Sequence, residues 1–331
     1  MNNNQVKKRV LSGIQPTGRL HLGNLIGAVE NWVRLQEQYD CYFFIADLHA
    51  LTTAYDNTAA LKEDIKQLAI DLLSAGLDPK KCVIFKQSDL PEHSELHLLF
   101  SMITPVPWLE RVPTYKSKID ELSGKDLGTY GFLGYPLLQA ADILIYKADF
   151  VPVGQDQLPH IELTREVARR FNSFYGNVLP EPKELLTAFP TLPGTDGRKM
   201  SKSYNNTIAL SDSPDVIKKK ISIMVTDPAR IKKENPGHPA VCSAYEFYKV
   251  FAKQNEAKVA SECRAAQRGC VACKKELAEA VINYLTPLHN RRTDYEKEPE
   301  KVSKILTAGA ERARAIAKPT LQEAKKAMGL I

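Results

Sequence analysis

Apolar positions in the N-terminal part of the chain follow two alternating rhythms. Short unbroken apolar runs at residues 10–11, 41–46, 82–85 and 150–153 have the length of buried strands. Between them, residues 25–33, 61–75, 132–145 and 158–171 carry the 3.6-residue period of helices, and the second of these is closed by Gly76 and Pro79. Strand and helix in alternation predict an α/β fold of Rossmann-like type, a doubly wound parallel sheet with helices on both faces. Ligands of such sheets bind beyond the carboxyl ends of the strands, where Gly13, Asp47 and His49 fall. Residues 105–131 are polar and irregular, contain Arg111, Lys116 and Lys118, and read as an insertion between the halves of the sheet, usable for dimer contacts. Residues 180–197 are rich in Pro and Gly and mark a domain boundary. Beyond them only helical periods occur, at 214–224, 244–252, 274–289 and 299–328. The expected organisation is a catalytic domain over 1–197 and an all-helical domain over 198–331.

Composition narrows this picture without redirecting it. A length of 331 residues suits two domains, and 44% hydrophobic with 25% charged residues is ordinary for a globular protein. No apolar run approaches a membrane span, and Met1-Asn2-Asn3-Asn4-Gln5 has no apolar core of a secretion signal, so a cytoplasmic protein is expected. A net charge of +6 permits a polyanionic partner without requiring one. Six cysteines in a cytosolic chain argue against a disulfide framework, and Cys41 and Cys82 lie within apolar runs as core residues.

Two stretches carry candidate chemistry. Leu11-Ser12-Gly13-Ile14-Gln15-Pro16-Thr17-Gly18-Arg19-Leu20-His21-Leu22-Gly23-Asn24 joins the first strand to the first helix through a Gly-rich turn, a geometry that offers backbone N–H groups to an anion. It is neither a Walker A loop nor a dinucleotide fingerprint. His21 and Asn24, three apart, point toward the same phosphates. Alone, such a stretch is more often a glycine turn with a surface histidine. Far downstream, Arg198-Lys199-Met200-Ser201-Lys202-Ser203 follows Pro193-Gly194-Thr195-Asp196-Gly197 on a loop left mobile by Gly and Pro. Tyr135, Gln139 and Asp142 are spaced by four and three, which puts a polar stripe on one face of an otherwise apolar helix. A strand at 150–153 then ends at Gly154-Gln155-Asp156-Gln157, so a substrate pocket is the favoured reading of that stripe.

His-Leu-Gly-Asn paired with Lys-Met-Ser-Lys-Ser resembles the two signatures of class I aminoacyl-tRNA synthetases, with Asn24 in place of a second histidine. Gly13–Gly18, Ala141-Asp142-Ile143-Leu144, the 154–157 run and His160-Ile161-Glu162-Leu163-Thr164-Arg165-Glu166 narrow it to the bacterial tryptophanyl-tRNA synthetase family, and tyrosyl-tRNA synthetases share these positions in part. The resemblance implies that ATP and L-tryptophan form an adenylate and that the acyl group then passes to tRNA(Trp). It implies phosphate and ribose contacts from Gln15, Pro16, Thr17, His21, Gly23 and Asn24. Gly154, Gln155 and Asp156 follow on the ribose and adenine side, and Lys116, Lys199 and Lys202, with Met200, Ser201 and Ser203 around them, at the pyrophosphate. Mg²⁺ is expected with the ATP. Asp142 matches the acceptor of the indole N–H, with Tyr135, Gln139, His49, Val151, Val153 and Gln157 completing the amino-acid pocket. Gln139 stands where many tryptophan enzymes carry Met and tyrosine enzymes carry Gln, whereas Gln15-Pro16-Thr17-Gly18 is the tryptophan form. A symmetric homodimer with tRNA across both subunits, and an anticodon-binding role for the helical domain, are implied as well.

Cys242, Cys263, Cys270 and Cys273 follow the spacing Cys-x20-Cys-x6-Cys-x2-Cys, and four cysteines so close in a cytosolic chain suggest a metal. Zinc tetrathiolate sites usually show two Cys-x2-Cys pairs, and only one is present. A subset of the tryptophanyl family carries a [4Fe–4S] cluster whose last two intervals agree with these, the first being shorter here. A [4Fe–4S] cluster, zinc and free core thiols stay open as readings in that order, with the structural role of pinning Arg264, Arg268, Lys274 and Lys275 against the anticodon. For the whole chain, tyrosine charging, a tRNA-independent nucleotidyltransferase and an RNA-binding regulator are the competing functions.

Overall fold

A computed structural model describes residues 7–121, 124–186 and 192–331, and the side chains of Lys118, Asp120, Glu121 and Ser203 lie outside that description. Five strands, β1 (Arg9–Ile14), β2 (Asp40–Ile45), β3 (Cys82–Lys86), β4 (Phe150–Val153) and β5 (Lys183–Leu186), form one sheet in the order β3-β2-β1-β4-β5. Every pairing is parallel, and β1 and β2 run in register from Arg9 opposite Asp40 to Ile14 opposite Ile45. Helices of the N-terminal half are α1 (Leu22–Asn24), α2 (Glu30–Gln38), α3 (Asp47–Ala54), α4 (Leu61–Ala75), α5 (Pro91–Ser101), α6 (Val106–Glu110), α7 (Pro113–Glu121), α8 (Tyr130–Leu133), α9 (Tyr135–Leu144) and α10 (Leu158–Tyr175). After the sheet come α11 (Pro214–Ser222), α12 (Ser243–Phe251), α13 (Glu256–Arg264), α14 (Cys270–Lys297) and α15 (Pro299–Ala327).

Strands β2 and β3 are apolar on both faces because both faces are covered. Val10, Phe43, Ile45 and Ile84 pack with Leu68 and Leu72 of α4 and with Leu277, Val281 and Leu285 of α14. The alternate residues Leu11, Tyr42, Phe44 and Phe85 turn to the other face, against α5, α9, α10 and Ala313 and Ala317 of α15. This is the period-two division of a strand between two cores. Each fully buried Phe or Leu adds about 1.5–3 kcal/mol. One continuous core therefore joins the sheet to the C-terminal helices.

Strand β3 is a sheet edge, and α15 covers it. Arg312 donates from Nη1 to the carbonyls of Pro79 at 2.8 Å and Cys82 at 3.1 Å. Gly309 lies so close that a Cβ there would sit 1.8 Å from the Ile84 carbonyl oxygen. The outward polar groups of β3 are thus shielded from edge-to-edge pairing.

One expectation is corrected and one strand is added. The 105–131 insertion is not irregular: it contains α6, α7 and α8. Pro107 and Pro113 lie in first helical turns, where proline has no amide bond to lose. Strand β5 lies inside the stretch read as a boundary, and its Lys-Glu-Leu-Leu pattern on a half-exposed edge gives no apolar run to detect. Residues 187–191 of that stretch lie outside the described residues. Among the described residues, no helix is long and apolar enough to cross a membrane.

Candidate active site

Strand β1 ends at Ile14 and the chain turns through Gln15, Pro16 and Thr17, with the Thr17 amide donating to the Gln15 carbonyl at 2.9 Å. Gly18 takes φ +91°, a conformation that a side chain disfavours. His21 and Asn24 then close a reciprocal cap. The Asn24 amide donates to His21 Nδ1 at 3.3 Å, and the His21 amide donates to Asn24 Oδ1 at 3.2 Å. The next turn, Leu25–Val29, has the wider π spacing often found at functional sites. His21 is buried, and burial followed by the nearby Lys202 charge pushes its pKa down to about 4. The imidazole is therefore neutral near pH 7. With Nδ1 used as an acceptor, the proton lies on Nε2, which can donate to an anionic oxygen.

The lysine loop meets this turn directly. Lys202 donates from Nζ to the Thr17 carbonyl at 2.7 Å, and the Gly23 amide donates to Met200 Sδ at 3.4 Å. Backbone bonds Leu22 N–H to Ile208 O at 2.9 Å and Leu210 N–H to Leu20 O at 2.8 Å continue the seam. Crowding of the Lys202 ammonium lowers its pKa through lost hydration, against the pull of Asp64 and Asp71. Asn206, which sequence reasoning missed, ties the loop from within. It accepts from the Ser201 amide at 2.8 Å and donates to Asp196 at 2.7 Å and to the Lys199 carbonyl at 3.1 Å. Lys199 is exposed, and Lys116 is exposed on α7. Of the loop positions, the Ser203 side chain lies outside the described residues.

Beside the turn, beyond the carboxyl ends of the strands, opens a cavity of about 370 Å³. Its wall runs from Gly13, Ile14 and Gln15 past Gly27 and Asn31 to His49, Tyr135, Gln139, Asp142, Val151, Val153, Gly154 and Gln157. All seven residues expected around an amino acid thus share one pocket with the start of the Gly-rich turn. Pro16, Thr17, Gly23 and Asn24 lie along the turn outside this wall, and Gln155 and Asp156 are exposed on the turn after Gly154.

Asp142 forms the floor. Its carboxylate is buried and accepts four bonds: Oδ1 from His93 Nδ1 at 2.6 Å and Gln87 Nε2 at 2.8 Å, and Oδ2 from His49 Nε2 at 2.8 Å and Gln87 Nε2 at 2.9 Å. Burial alone raises its pKa, but the bonds from His49 and His93 outweigh it and hold the pKa at about 2. His93 is in turn bonded through Nε2 to the Tyr146 hydroxyl at 2.8 Å. Gln87 and His93 were not found from sequence, although they follow β3 at its carboxyl end, where such residues belong. Thr114 was also missed: it bridges the Tyr135 hydroxyl at 2.9 Å and His160 Nε2 at 2.6 Å.

The remaining cysteines, Cys242, Cys263, Cys270 and Cys273, line one small cavity between α12, α13 and the start of α14. Arg230 Nη1 lies 3.7 Å from Cys263 Sγ and 3.9 Å from Cys270 Sγ. Burial, with added repulsion from neighbouring thiols, raises the pKa of Cys242 and Cys273. Among the described residues, no three His, Cys, Asp or Glu side chains gather at the spacing of a single metal ion. Of the basic residues expected to face an anticodon, Arg268 is engaged by Glu262 at 2.9 Å and Glu276 at 2.7 Å, and Lys274 by the Ser222 carbonyl at 2.9 Å.

Comparison with known proteins agrees with this architecture. The model of class I tRNA synthetases for W and Y matches residues 3–286. The tryptophan–tRNA ligase of Thermotoga maritima is 51% identical over 98% of this chain and 99% of its own length. That of Aquifex aeolicus is 44% identical over 97% of this chain and 100% of its own. The crystal structure of tryptophanyl-tRNA synthetase from Campylobacter jejuni complexed with ADP and tryptophan superposes with a TM-score of 0.89 at 35% identity, covering 97% of this chain and 100% of that one. The chain belongs to the class I tRNA synthetases and, within them, to the bacterial tryptophanyl-tRNA synthetases.

Proposed function

We propose that the cavity between Gln15 and Asp142 binds L-tryptophan beside ATP, and that this chain charges tRNA(Trp) there through a tryptophanyl-adenylate. In the first step a tryptophan carboxylate oxygen attacks the α-phosphorus of ATP, the bond from that phosphorus to the bridging oxygen breaks, and pyrophosphate leaves. In the second, a terminal ribose hydroxyl of the tRNA attacks the activated carbonyl, loses its proton and releases AMP. Catalysis is positioning and charge stabilisation, with no covalent link to the protein. His21 Nε2 donates to phosphate oxygen, and Lys199 and Lys202 neutralise the departing pyrophosphate with Lys116. Asp142 accepts the indole N–H in exchange for one of its present donors, and Gln157 faces the amino group. Mg²⁺ enters as the ATP complex, held mostly by phosphate and water oxygens.

The observation that carries the reading is the bond from Lys202 to Thr17, which joins the two signatures on the turn whose first residues line the pocket that holds the Asp142 carboxylate. ATP–pyrophosphate exchange with each aromatic amino acid tests it. Tryptophan alone is expected to support exchange. Exchange with tyrosine only, a result that Gln139 would then explain, or with neither, overturns it.

Three finer assignments belong to the same reading. The four cysteines hold a [4Fe–4S] cluster; their convergence on one cavity beside Arg230 supports this. A single zinc ion would need all four sulfurs about 2.3 Å from one point, whereas a cluster binds each thiolate at a different iron and tolerates a wider spread. Such a cluster supplies structural pinning of the loop ahead of α14. Iron and sulfide in anaerobically purified protein are expected; colourless protein with stoichiometric zinc or four free thiols overturns it. The chain works as a homodimer in the cytoplasm, and the exposed Leu98 on α5, Met102 just beyond it, Val106 on α6 and Tyr130 on α8 supply apolar surface for a second copy.

A further inference from the structure

The signature turn is held from behind by a buried ion pair that no motif includes. The Leu20 amide, one residue before His21, donates to Asp71 Oδ2 at 3.0 Å. Asp71 lies within α4 and is fully buried. Its other oxygen pairs with Arg292 of α14, itself 4% exposed. Arg292 also donates to Gln67, and lies 3.1 Å from Glu296. Gln67 Oε1 accepts from Arg19 as well, at 3.0 Å, so the network grips the turn at two successive residues.

The same stretch of α14 holds the opposite strand of the seam. His289 Nε2 bonds the Leu210 carbonyl at 2.8 Å, and Leu210 donates to the Leu20 carbonyl. Arg291 donates to the Ser74 carbonyl at 2.6 Å and fastens α14 to α4. Both polar groups of Leu20 are therefore fixed by neighbours whose position depends on α14. A buried ion pair adds little net stability compared with apolar residues of similar size. What the pair supplies here is a fixed acceptor for the Leu20 amide.

We propose that Asp71, oriented by Arg292, is a positioning residue for adenylate formation: it fixes the Arg19–Leu20 peptide, one residue ahead of His21, and so aims the imidazole at the phosphates. The inference rests on the reading of the His21 turn as the ATP site. A small displacement of a positioning group costs rate far more than it costs fold.

Three full-length variants test it in tryptophan-dependent pyrophosphate exchange. Asp71→Leu with Arg292→Met replaces the pair by apolar side chains and leaves the Leu20 amide without an acceptor. Its kcat is expected to fall by about 10- to 100-fold, with KM for tryptophan within about twofold of the starting protein. Asp71→Asn with Arg292→Met restores a neutral acceptor and is expected to recover most of that loss. Losses that are equal in the two pairs, absent in both, or confined to KM for tryptophan overturn the proposal. His21→Ala separates the premise: unchanged exchange in that variant defeats the ATP-site reading itself, whereas sensitivity to His21 without sensitivity to the pair defeats only the positioning role. Should the Leu/Met pair not fold, amide hydrogen exchange on the unaltered protein decides. The Leu20 amide is expected to be protected, and exchange as fast as in open loops overturns the proposal.

Discussion

At the scale of single residues, burial and hydrogen bonding set different charge states in the turn and in the pocket beside it. His21 is held neutral and Asp142 is held ionised. The folded pKa of His21, about 4, lies below its ordinary 6.5, so on acidification the unfolded chain takes up the proton first. Its contribution to stability is full above pH 6.5 and is lost as the pH falls toward 4. Calorimetry at pH 7 and pH 5 is expected to show a smaller drop in unfolding temperature for His21→Asn than for the unaltered protein; equal drops contradict the assignment. Asp142→Asn keeps the size of the side chain and removes its charge. It is expected to raise KM for tryptophan by about 10-fold or more, the worth of one charged hydrogen bond, with KM for ATP little changed. Asp142 itself was legible because its helix face and its motif are local. Gln87 and His93 were not, because what they touch is decided by how the end of β3 and helix α5 pack against α9 and by nothing in the spacing between them.

At the scale of elements, the chain stores its constraints at close approaches. Gly18 keeps a positive φ opposite Lys202, whose Nζ lies 3.6 Å from the place of an added Cβ. Gly18→Ala is expected to lose about 1–2 kcal/mol through the disfavoured backbone alone, measurable by urea unfolding, and to weaken ATP binding as the turn shifts. Gly309→Ala drives a methyl group into the backbone of β3, and since Ile84 cannot yield, α15 must move. A loss of about 1–3 kcal/mol is expected, and an unchanged unfolding midpoint would contradict the seating of α15 on the sheet edge. Strands β2 and β3 and helix α4 were legible because burial on two faces or one leaves a strong apolar period. Strand β5 was hidden by its position at an edge. Helices α6 and α7 were hidden by prolines that lie in first helical turns here, although the same residues are commonly read as breakers.

At the scale of the whole molecule, a parallel sheet presents the ends of β1, β2 and β4 to one pocket, and the C-terminal helices brace the turn and the sheet edge from the far side. The convergence of the two signatures, 185 residues apart in a chain of 331, could be expected only through resemblance, since no local pattern tells which loop will fold back on which turn. The structure supplies the contact, Lys202 to Thr17, and a route to it through α14. The central claim is that His21 and Lys202 act on one triphosphate, and a double-mutant cycle on kcat/KM for ATP in tryptophan-dependent pyrophosphate exchange tests it most directly. His21→Ala and Lys202→Ala are each expected to reduce the rate strongly, and the double variant is expected to lose less than the product of the two, with a coupling of about 0.5–3 kcal/mol. Strictly multiplicative losses would mean that the two residues serve separate sites, and would contradict the account.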